Sequence, residues 1–292
     1  MLDISAQQDL LPLVVIIIMT AIGLELRGSQ FVTLARSPRM PALGTLLHTI
    51  MFPLIALLSI VGSNLVGLAP TEAVFVGILV IAACPSGGYS NVMVFMNRGD
   101  LALSVTLTSV SSLLSFATVP LWFLLFGIAV PGMTVEVELP VAETLMQILL
   151  LVLVPLVTGM ALNMRFPGFA QRVAKPIQKY AQFALYAVVA LLIYQERQTI
   201  ADAMGELLVW SVLLYTLTLL GGYSAAKLTG LNHEQSIAVS CESASRNLAV
   251  AFLVAANVLE RMDVAVLSTI YFIVILASTP LLRIFYRRLG QQ

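Results

Sequence analysis

The sequence is poor in charge, in cysteine and in histidine. Only 10% of its 292 residues are charged, against about 25% in an ordinary soluble domain. Basic and acidic residues number 15 each, so there is no basic surplus to bind nucleic acid. Two cysteines cannot build a disulfide framework. These shortages exclude a soluble enzyme, a nucleic-acid-binding protein and a disordered chain.

Apolar residues dominate instead. They make up 59% of the sequence, and the mean hydropathy is +0.97. Because a helix needs about 20 apolar residues to cross the hydrocarbon core, the pattern predicts an all-α polytopic membrane protein with nine transmembrane helices. The nine segments are 10–26, 40–62, 72–96, 101–129, 141–163, 174–196, 206–229, 234–258 and 262–286.

The basic residues orient these segments. If the C-terminus is cytoplasmic, all but three of the 15 basic residues lie in the cytoplasm. Arg197 and Arg261 fall outside, and Arg246 falls within a span. By the positive-inside rule, we expect a multi-pass protein of the inner (plasma) membrane with its N-terminus outside and its C-terminus in the cytoplasm.

The chain also carries a weak internal repeat. Cys84 in the third segment and Cys241 in the eighth open similar polar interruptions, and Pro120 and Pro280 recur at nearly the same offset. Segments 1–4 would then repeat as segments 6–9, inverted because the offset is five spans. Inverted repeats with paired interrupted helices are typical of secondary transporters, and the interruptions mark the binding site.

The first interruption contains Pro85, Gly87 and Gly88. Proline removes a backbone donor and clashes with the preceding turn, and paired glycines add backbone freedom. Alone, this stretch fits a kink as well as a break, but the matching interruption near Glu242 favours a break. A helix that resumes after it would present free N–H groups that attract an anion.

Glu242 and Arg246 are the only charges well inside a predicted span. Each costs about 2.5–3.5 kcal/mol there. They could form a structural ion pair one helical turn apart, or they could build an ion or substrate site, which is the default for ionisable residues within a membrane. His48 is also mid-span, either as a satisfied polar contact or as a group that titrates near neutral pH.

Ser104 and Thr108 belong to a stripe of hydroxyl residues on one face of the fourth segment. Such a stripe alone is more typical of helix packing through small residues. Joined by other oxygen ligands, it would suit an alkali cation. Cys84 and Cys241 could bind a soft metal, although a buried cysteine more often behaves as a small hydrophobic residue.

These motifs together resemble the bile acid:sodium symporter family over nearly the whole chain. The resemblance rests on Gly23–Leu26, Cys84–Met93, Gly99–Ser104, Thr108–Ser111 and Glu242–Asn247. It implies two crossing, unwound helices and two moving domains. The panel domain would be 10–26, 141–163 and 174–196, and the core domain 40–62, 72–96, 101–129, 206–229, 234–258 and 262–286.

The resemblance also implies a sodium site, with no transition metal. Its ligands would be oxygen-bearing residues in three segments, namely Ser90, Asn91, Ser104, Thr108 and Glu242. In the family's second sodium site, glutamines fall at His48 and Arg246, and arginine cannot ligate a cation. We therefore expect one sodium ion, with Arg246 replacing the second and pairing with Glu242. Alternatively, Arg246 clamps a substrate carboxylate.

The implied function is secondary active transport, not enzymatic catalysis: sodium-coupled symport of an organic anion by alternating access. Relatives carry bile acids, pantoate and keto acids, and nothing in the sequence selects among them. Candidate residues for the substrate, or for replacing the second sodium, are His48, Tyr89, Ser245, Arg246 and Asn247. The expected partners are a small organic anion and the lipid bilayer, with no nucleic acid and no obligate protein partner.

Three alternatives remain besides a structural or receptor role, which would not explain the set of cation ligands. The first is a proton-coupled or uncoupled organic-anion carrier that uses His48 or Glu242. The second resembles the distantly related arsenite efflux carriers and would need Cys84 as a thiolate ligand. The third, an intramembrane enzyme with Glu242, Arg246 and His48 as catalytic groups, is the most distant, because the sequence lacks an HExxH motif or a nucleophile elbow.

Overall fold

The elements of the fold are helices. The computed structural model describes residues 4–25, 39–129, 146, 149–195, 197–255, 259 and 261–289. A π-helical turn, Leu149–Leu153, precedes α6. The helices are α1 (Ile4–Glu25), α2 (Arg39–Leu65), α3 (Glu72–Ala83), α4 (Tyr89–Met96), α5 (Leu101–Ala129), α6 (Val154–Arg165), α7 (Pro167–Gln195), α8 (Arg197–Leu228), α9 (His233–Ala244), α10 (Leu248–Leu253) and α11 (Met262–Leu289).

Helix is present in each of the nine apolar segments, which confirms the prediction of a helical membrane protein. The third segment holds two helices, α3 and α4, and the eighth holds α9 and α10. The start of the fifth segment, 141–145, lies outside the described residues. Helices α7 and α8 begin before their predicted segments, since hydropathy marks only the part of a helix that suits hydrocarbon.

Some of the helices are long and apolar enough to cross a membrane. Helix α5 contains a bend of 69° between Leu101–Ser115 and Ala117–Phe126, and the two parts together are long and apolar enough for one span. Pro120 accounts for the bend, because its ring clashes with the carbonyl four residues earlier. Among the described residues, three unbroken helices are each long and apolar enough to cross a membrane, namely Arg39–Leu65, Ile200–Leu228 and Asp263–Leu289.

The helices pack in two groups. In the first, α1 lies against α6 and α7. A Cβ atom on Gly23 would lie 2.1 Å from the carbonyl oxygen of Leu156, so only glycine lets α1 and α6 approach this closely, as small residues do in membrane helix pairs. In the second group α2, α3, α5, α8, α9 and α11 pack against one another.

Caps at two helix starts set the register of the candidate site. Asn232 and Gln235 form a capping box at the start of α9, in which each side chain accepts the other's backbone N–H. The Asp100 carboxylate accepts the N–H of Leu103 at 2.9 Å, and its backbone N–H donates to the Glu234 carbonyl at 3.0 Å. The hydroxyl face of α5 is therefore held beside α9.

Candidate functional site

Two interrupted helices meet at one point. Helix α3 ends at Ala83 and α4 begins at Tyr89. Helix α9 ends at Ala244 and α10 begins at Leu248. Both interruptions are extended where the helix ends, so each is a break in the helix rather than a kink.

The two breaks are joined by backbone hydrogen bonds in a single antiparallel bridge. The Gly87 N–H donates to the Ser245 carbonyl at 3.2 Å, and the Asn247 N–H donates to the Pro85 carbonyl at 2.9 Å. Backbone groups at membrane depth must find such partners. A Cβ atom on Gly87 would lie 2.6 Å from the Arg246 carbonyl oxygen, so glycine is required where the chains cross.

The Glu242 carboxylate lies beside this crossing and is fully buried. Four hydroxyl groups donate to it: those of Ser90 at 2.7 Å, Ser104 at 2.5 Å, Thr108 at 2.9 and 3.0 Å, and Ser86. Among the described residues no lysine or arginine lies within 4 Å of it. These donors offset the cost of burying a charge, since an ionised carboxylate only accepts hydrogen bonds.

Asn91 completes the cluster. Its Oδ1 atom lies 2.8 Å from the Ser104 hydroxyl, for which it is an alternative acceptor to Glu242, and its Nδ2 atom donates to Thr108 at 3.5 Å. The five residues that the sequence assigned to sodium thus lie together, and their role as ligands stays a prediction. Ser86 was missed, although its place next to Pro85 in the predicted break was a signal.

Each hydroxyl in the cluster has a second acceptor within reach. Ser90 lies 2.8 Å from the Gly87 carbonyl, Ser104 lies 2.8 Å from Asn91 Oδ1, and Thr108 lies 3.1 Å from the Ser104 carbonyl. A hydroxyl has one proton and two lone pairs. It can therefore donate to the carboxylate, or it can turn its proton to the second acceptor and face the carboxylate with a lone pair.

Arg246 occupies the other side of the crossing and is only 6% exposed. Its guanidinium donates to the carbonyl oxygen of Cys84 at 3.1 Å and to that of His48 at 3.2 Å. The guanidinium carbon lies 4.6 Å from the centroid of the Phe52 ring, within the range of a cation–π contact. Two backbone carbonyls and a ring face thus surround the buried positive charge.

The predicted ion pair between Arg246 and Glu242 is wrong. No contact within 4 Å joins them, and both are described. The prediction assumed a continuous helix, on which residues four apart share a face. Because the helix ends at Ala244 and Ser245 is extended, Arg246 is carried away from the carboxylate.

Tyr89 and Asn247 lie at the starts of the helices that follow the two breaks, α4 and α10. The Tyr89 hydroxyl donates to Thr279 at 3.4 Å. The Asn247 side chain accepts the N–H groups of Ala249 at 3.1 Å and Val250 at 3.3 Å, which makes it the N-cap of α10. Asn247 therefore stabilises the break as well as facing the cavity described below.

His48 and Ser245 are buried close to the crossing, at 0% and 1% exposure. Neither the ring nitrogens of His48 nor the hydroxyl of Ser245 has a hydrogen-bond partner among the described residues. Only the backbone carbonyl of His48 contacts Arg246. The structure thus places His48 near Arg246 but does not join its ring to the Glu242 cluster.

A cavity of about 280 Å³ opens beside the crossing. Helix α7 contributes Lys175, Gln178 and Lys179 to it, and none of its lining residues is acidic. In the sequence the two lysines stand out only as cytoplasmic charges, because no local pattern shows that α7 faces the break. The other lining residues are Ile18, Ile22, Gly87, Gly88, Tyr89, Val92, Arg246, Asn247, Leu248, Ala249 and Phe272.

The chemistry of the Glu242 cluster suits a hard cation. Its donors are hydroxyl, amide and carboxylate oxygens, which favour alkali and alkaline-earth ions over soft metals. Within the described ranges, no three His, Cys, Asp or Glu side chains come together as transition-metal ligands. One carboxylate balances one positive charge, so the cluster fits a monovalent ion.

A buried carboxylate beside two broken helices that cross is the architecture of a secondary transporter. Comparison with known proteins agrees. The sequence model of the sodium bile acid symporter family matches residues 12–203, and the chain belongs to that family.

Curated relatives extend the similarity along the chain. The chain is 29% identical over 234 residues to the "Uncharacterized sodium-dependent transporter YocS" of Bacillus subtilis, covering 79% of this chain and 68% of the relative. It is 25% identical over 273 residues to the rice "Probable sodium/metabolite cotransporter BASS2, chloroplastic" (94% and 62%). It is 26% identical over 248 residues to the human ileal sodium/bile acid cotransporter (81% and 66%). The matches span about two thirds of the relatives' length.

Proposed function

We propose that this protein is a sodium-coupled symporter that carries a small organic anion across the membrane by alternating access. The observation that carries the proposal is the Glu242 cluster, in which one buried carboxylate collects four hydroxyl groups beside a crossing of two broken helices. The names of the relatives, which are sodium-dependent transporters and cotransporters, support the same function.

The cluster would hold one sodium ion through the Glu242 carboxylate, the Asn91 amide oxygen and the hydroxyls of Ser90, Ser104 and Thr108. To do so, each hydroxyl turns its proton to its second acceptor and offers a lone pair. The ion neutralises the carboxylate, which removes an unpaired charge from the membrane interior. Because the ligands come from α4, α5 and α9, binding also ties the crossing to α5.

Arg246 would replace a second sodium ion. A guanidinium that donates to two backbone carbonyls supplies a fixed positive charge where a bound cation would otherwise be stabilised by the same oxygens. Transport would then couple to one sodium ion rather than two. This proposal keeps the predicted replacement by Arg246 and drops the predicted pairing with Glu242.

The topology is proposed from the helices and the charges together. Nine spans, with segments 1–4 repeated in inverted orientation as 6–9, place the N-terminus outside and the C-terminus in the cytoplasm. The group formed by α1, α6 and α7 would be the panel domain and the other group the core domain. Movement of the panel against the core would open the crossing to one side of the membrane and then the other.

The anion would bind in the cavity of about 280 Å³. Sodium in the Glu242 cluster orders the crossing, and the ordered crossing forms one wall of the anion site. The coupling is reciprocal, so the anion must also raise the affinity for sodium. The alternative, proton coupling through Glu242, would leave the stability of the protein independent of sodium.

The test is a thermal-shift titration of the purified protein with sodium chloride, with potassium chloride keeping the ionic strength constant. A ligand that binds only the folded protein stabilises it by RT ln(1 + [L]/Kd), about 2.7 kcal/mol at 100 Kd. We expect a saturating rise in the wild type that Glu242→Gln abolishes. Glu206→Gln is the matched control, since Glu206 accepts from Thr71 and lies outside the cluster.

Glu242→Gln removes a buried charge while keeping the side chain's size, so its stability in potassium should equal or exceed that of the wild type. A variant stable in potassium but unresponsive to sodium would support the site. Equal stability of the wild type in both salts would refute sodium coupling.

A further inference from the structure

The cavity at the crossing has walls from both groups of helices. Ile18 and Ile22 come from α1 and Phe272 from α11, while residues of both helix breaks form the wall between them. Helix α7 lines a further side of the cavity with Lys175, Gln178 and Lys179. The amide Nε2 of Gln178 lies 3.6 Å from the position a Cβ atom on Gly88 would take, so α7 approaches the crossing to contact distance.

Three cationic residues line this cavity: Lys175 and Lys179 on one face of α7, four residues apart, and Arg246 in the break between α9 and α10. No aspartate or glutamate belongs to the lining. Among the described residues neither lysine has an ion pair within 4 Å. Glu25 at the end of α1 interacts electrostatically with Lys175 without reaching that distance.

Arg246 is the third basic residue of the cavity lining. It is 6% exposed, lines the cavity, and its Nε–H has no hydrogen-bond partner in the described part of the chain. The lining therefore includes two groups of anion-attracting residues on different elements. One is the crossing, with Arg246 and the first N–H groups of the eight-residue helix α4. The other is the lysine pair of α7.

A position at the cytoplasmic membrane surface would also account for two lysines. It does not account for their place in the lining beside Gly88. Arg172, three residues before Lys175, is exposed as both lysines are, but it is absent from the lining and therefore serves as the comparison for a charge at the membrane surface.

We propose that the cavity binds a compact organic dianion, with one acidic group at the crossing and the second between Lys175 and Lys179. This rests on the function proposed above and narrows its substrate class. A monoanion at the crossing would leave the lysine pair with no counter-charge inside the cavity, and outside it Lys175 has only Glu25, which does not form an ion pair with it. The cavity has a volume of about 280 Å³, just below the roughly 300–1,000 Å³ usual for pockets that bind drug-sized ligands. A short dicarboxylate therefore fits it better than a bile acid does.

The experiment compares two anions of the same chain length, 2-oxoglutarate, which has two carboxylates, and 2-oxovalerate, which has one. Thermal-shift titrations in saturating sodium at fixed ionic strength give both affinities, with succinate and butyrate as a second pair. The variants are the double substitution Lys175→Gln with Lys179→Gln, and the control Arg172→Gln. The rise produced by sodium without any anion checks that each variant is folded.

We expect the wild type and Arg172→Gln to bind the dianion of a pair about tenfold or more tightly than the monoanion, as two charge pairs in a partly enclosed site allow. The double variant should lose this preference through weaker binding of the dianion. Three results would each overturn the proposal. The wild type could bind the dianion and the monoanion of a pair equally, it could bind none of the four anions, or the double variant could keep the preference for the dianion.

Failure of this inference is separable from failure of sodium coupling. If sodium stabilises the wild type and Glu242→Gln abolishes the effect, the proposed sodium site stands whatever the anions do. A further measurement repeats the titrations in vesicles of anionic lipid. If the double variant and Arg172→Gln then lose stability alike, with no change in dianion preference, the lysines serve the lipid surface and the proposal is overturned.

Discussion

Replacement of Arg246 by glutamine should change the number of sodium ions that stabilise the protein. The guanidinium makes two charge-assisted hydrogen bonds to backbone carbonyls, worth about 1.5–3 kcal/mol each. Its contact with Phe52 adds about 2 kcal/mol when desolvated. Against this stands the cost of burying the charge, several kcal/mol, which the neutral side chain avoids.

These opposing contributions predict that, in potassium, Arg246→Gln lowers the free energy of unfolding by about 1–3 kcal/mol, because two carbonyls lose their donors. In sodium the outcome differs. The carboxamide oxygen joins the carbonyls of Cys84 and His48, and three hard oxygens around a position that has lost its fixed cation favour an alkali ion. Sodium should therefore restore the lost stability in the variant.

The assay is the stability of the purified protein at a series of sodium concentrations and constant ionic strength. Near saturation, each bound ion adds about 1.4 kcal/mol for every tenfold rise in sodium. We expect about 1.4 kcal/mol per tenfold rise for the wild type and about twice that for Arg246→Gln. Arg246→Met is the matched control, because it removes the charge but offers no oxygen, and should keep the wild-type slope.

Equal slopes for the wild type and Arg246→Gln would refute the idea that the guanidinium stands in place of a cation. A steeper slope in Arg246→Met as well would also refute it, because that variant provides no added ligand. Loss of stability in both salts with an unchanged slope would show that Arg246 only holds the broken helices together.

Three smaller predictions concern single contacts. Ser104→Ala should weaken sodium binding about tenfold, which is about 1.4 kcal/mol, because it removes one of the five proposed oxygen ligands. Ser109→Ala, whose hydroxyl donates to the Val105 carbonyl of its own helix, should leave sodium titrations unchanged. Gly23→Val should cost about 1–3 kcal/mol by overpacking and lower the melting temperature, whereas Gly62→Ala, with open space around it, should not. Hydrogen bonds to Asp263 and Glu72 hold the pKa of Arg261 above its ordinary value. The Arg261 guanidinium is therefore charged at every pH below this raised pKa. Arg261→Gln should then cost up to about 1 kcal/mol, and melting curves in high salt should erase the difference.

The sequence predicted the Glu242 cluster because its residues carry a local motif. The oxygen-bearing side chains of two segments and one intramembrane carboxylate matched a family pattern, and the helices bring all five together. Ser86 escaped because no helical or strand spacing describes a residue in an unwound stretch. Its hydroxyl reaches Glu242 only because the break at Pro85 turns the chain.

The partner of Arg246 could not be read from spacing for the same reason. A one-turn separation from Glu242 implies contact only while the helix continues, and here the helix ends two residues earlier. Lys175 and Lys179 show the complementary failure. Their charge was visible, but the positive-inside rule explains any cytoplasmic lysine equally well, and only the packing of α7 beside Gly88 gives the pair a site.

The two sides of the crossing together explain why an arginine is tolerated at membrane depth. Both breaks expose carbonyl oxygens that hydrocarbon cannot satisfy, and the backbone bridge through Gly87 and Asn247 satisfies only part of them. A cation from solution would satisfy the rest but would leave with every transport cycle. On the proposed function, a covalently attached guanidinium stays and holds its own side of the crossing through the cycle, while sodium orders the side that contains the Glu242 cluster. The chain would then couple to one sodium ion instead of two in return for a positive charge that is always in place, and the sodium slope of Arg246→Gln tests this exchange.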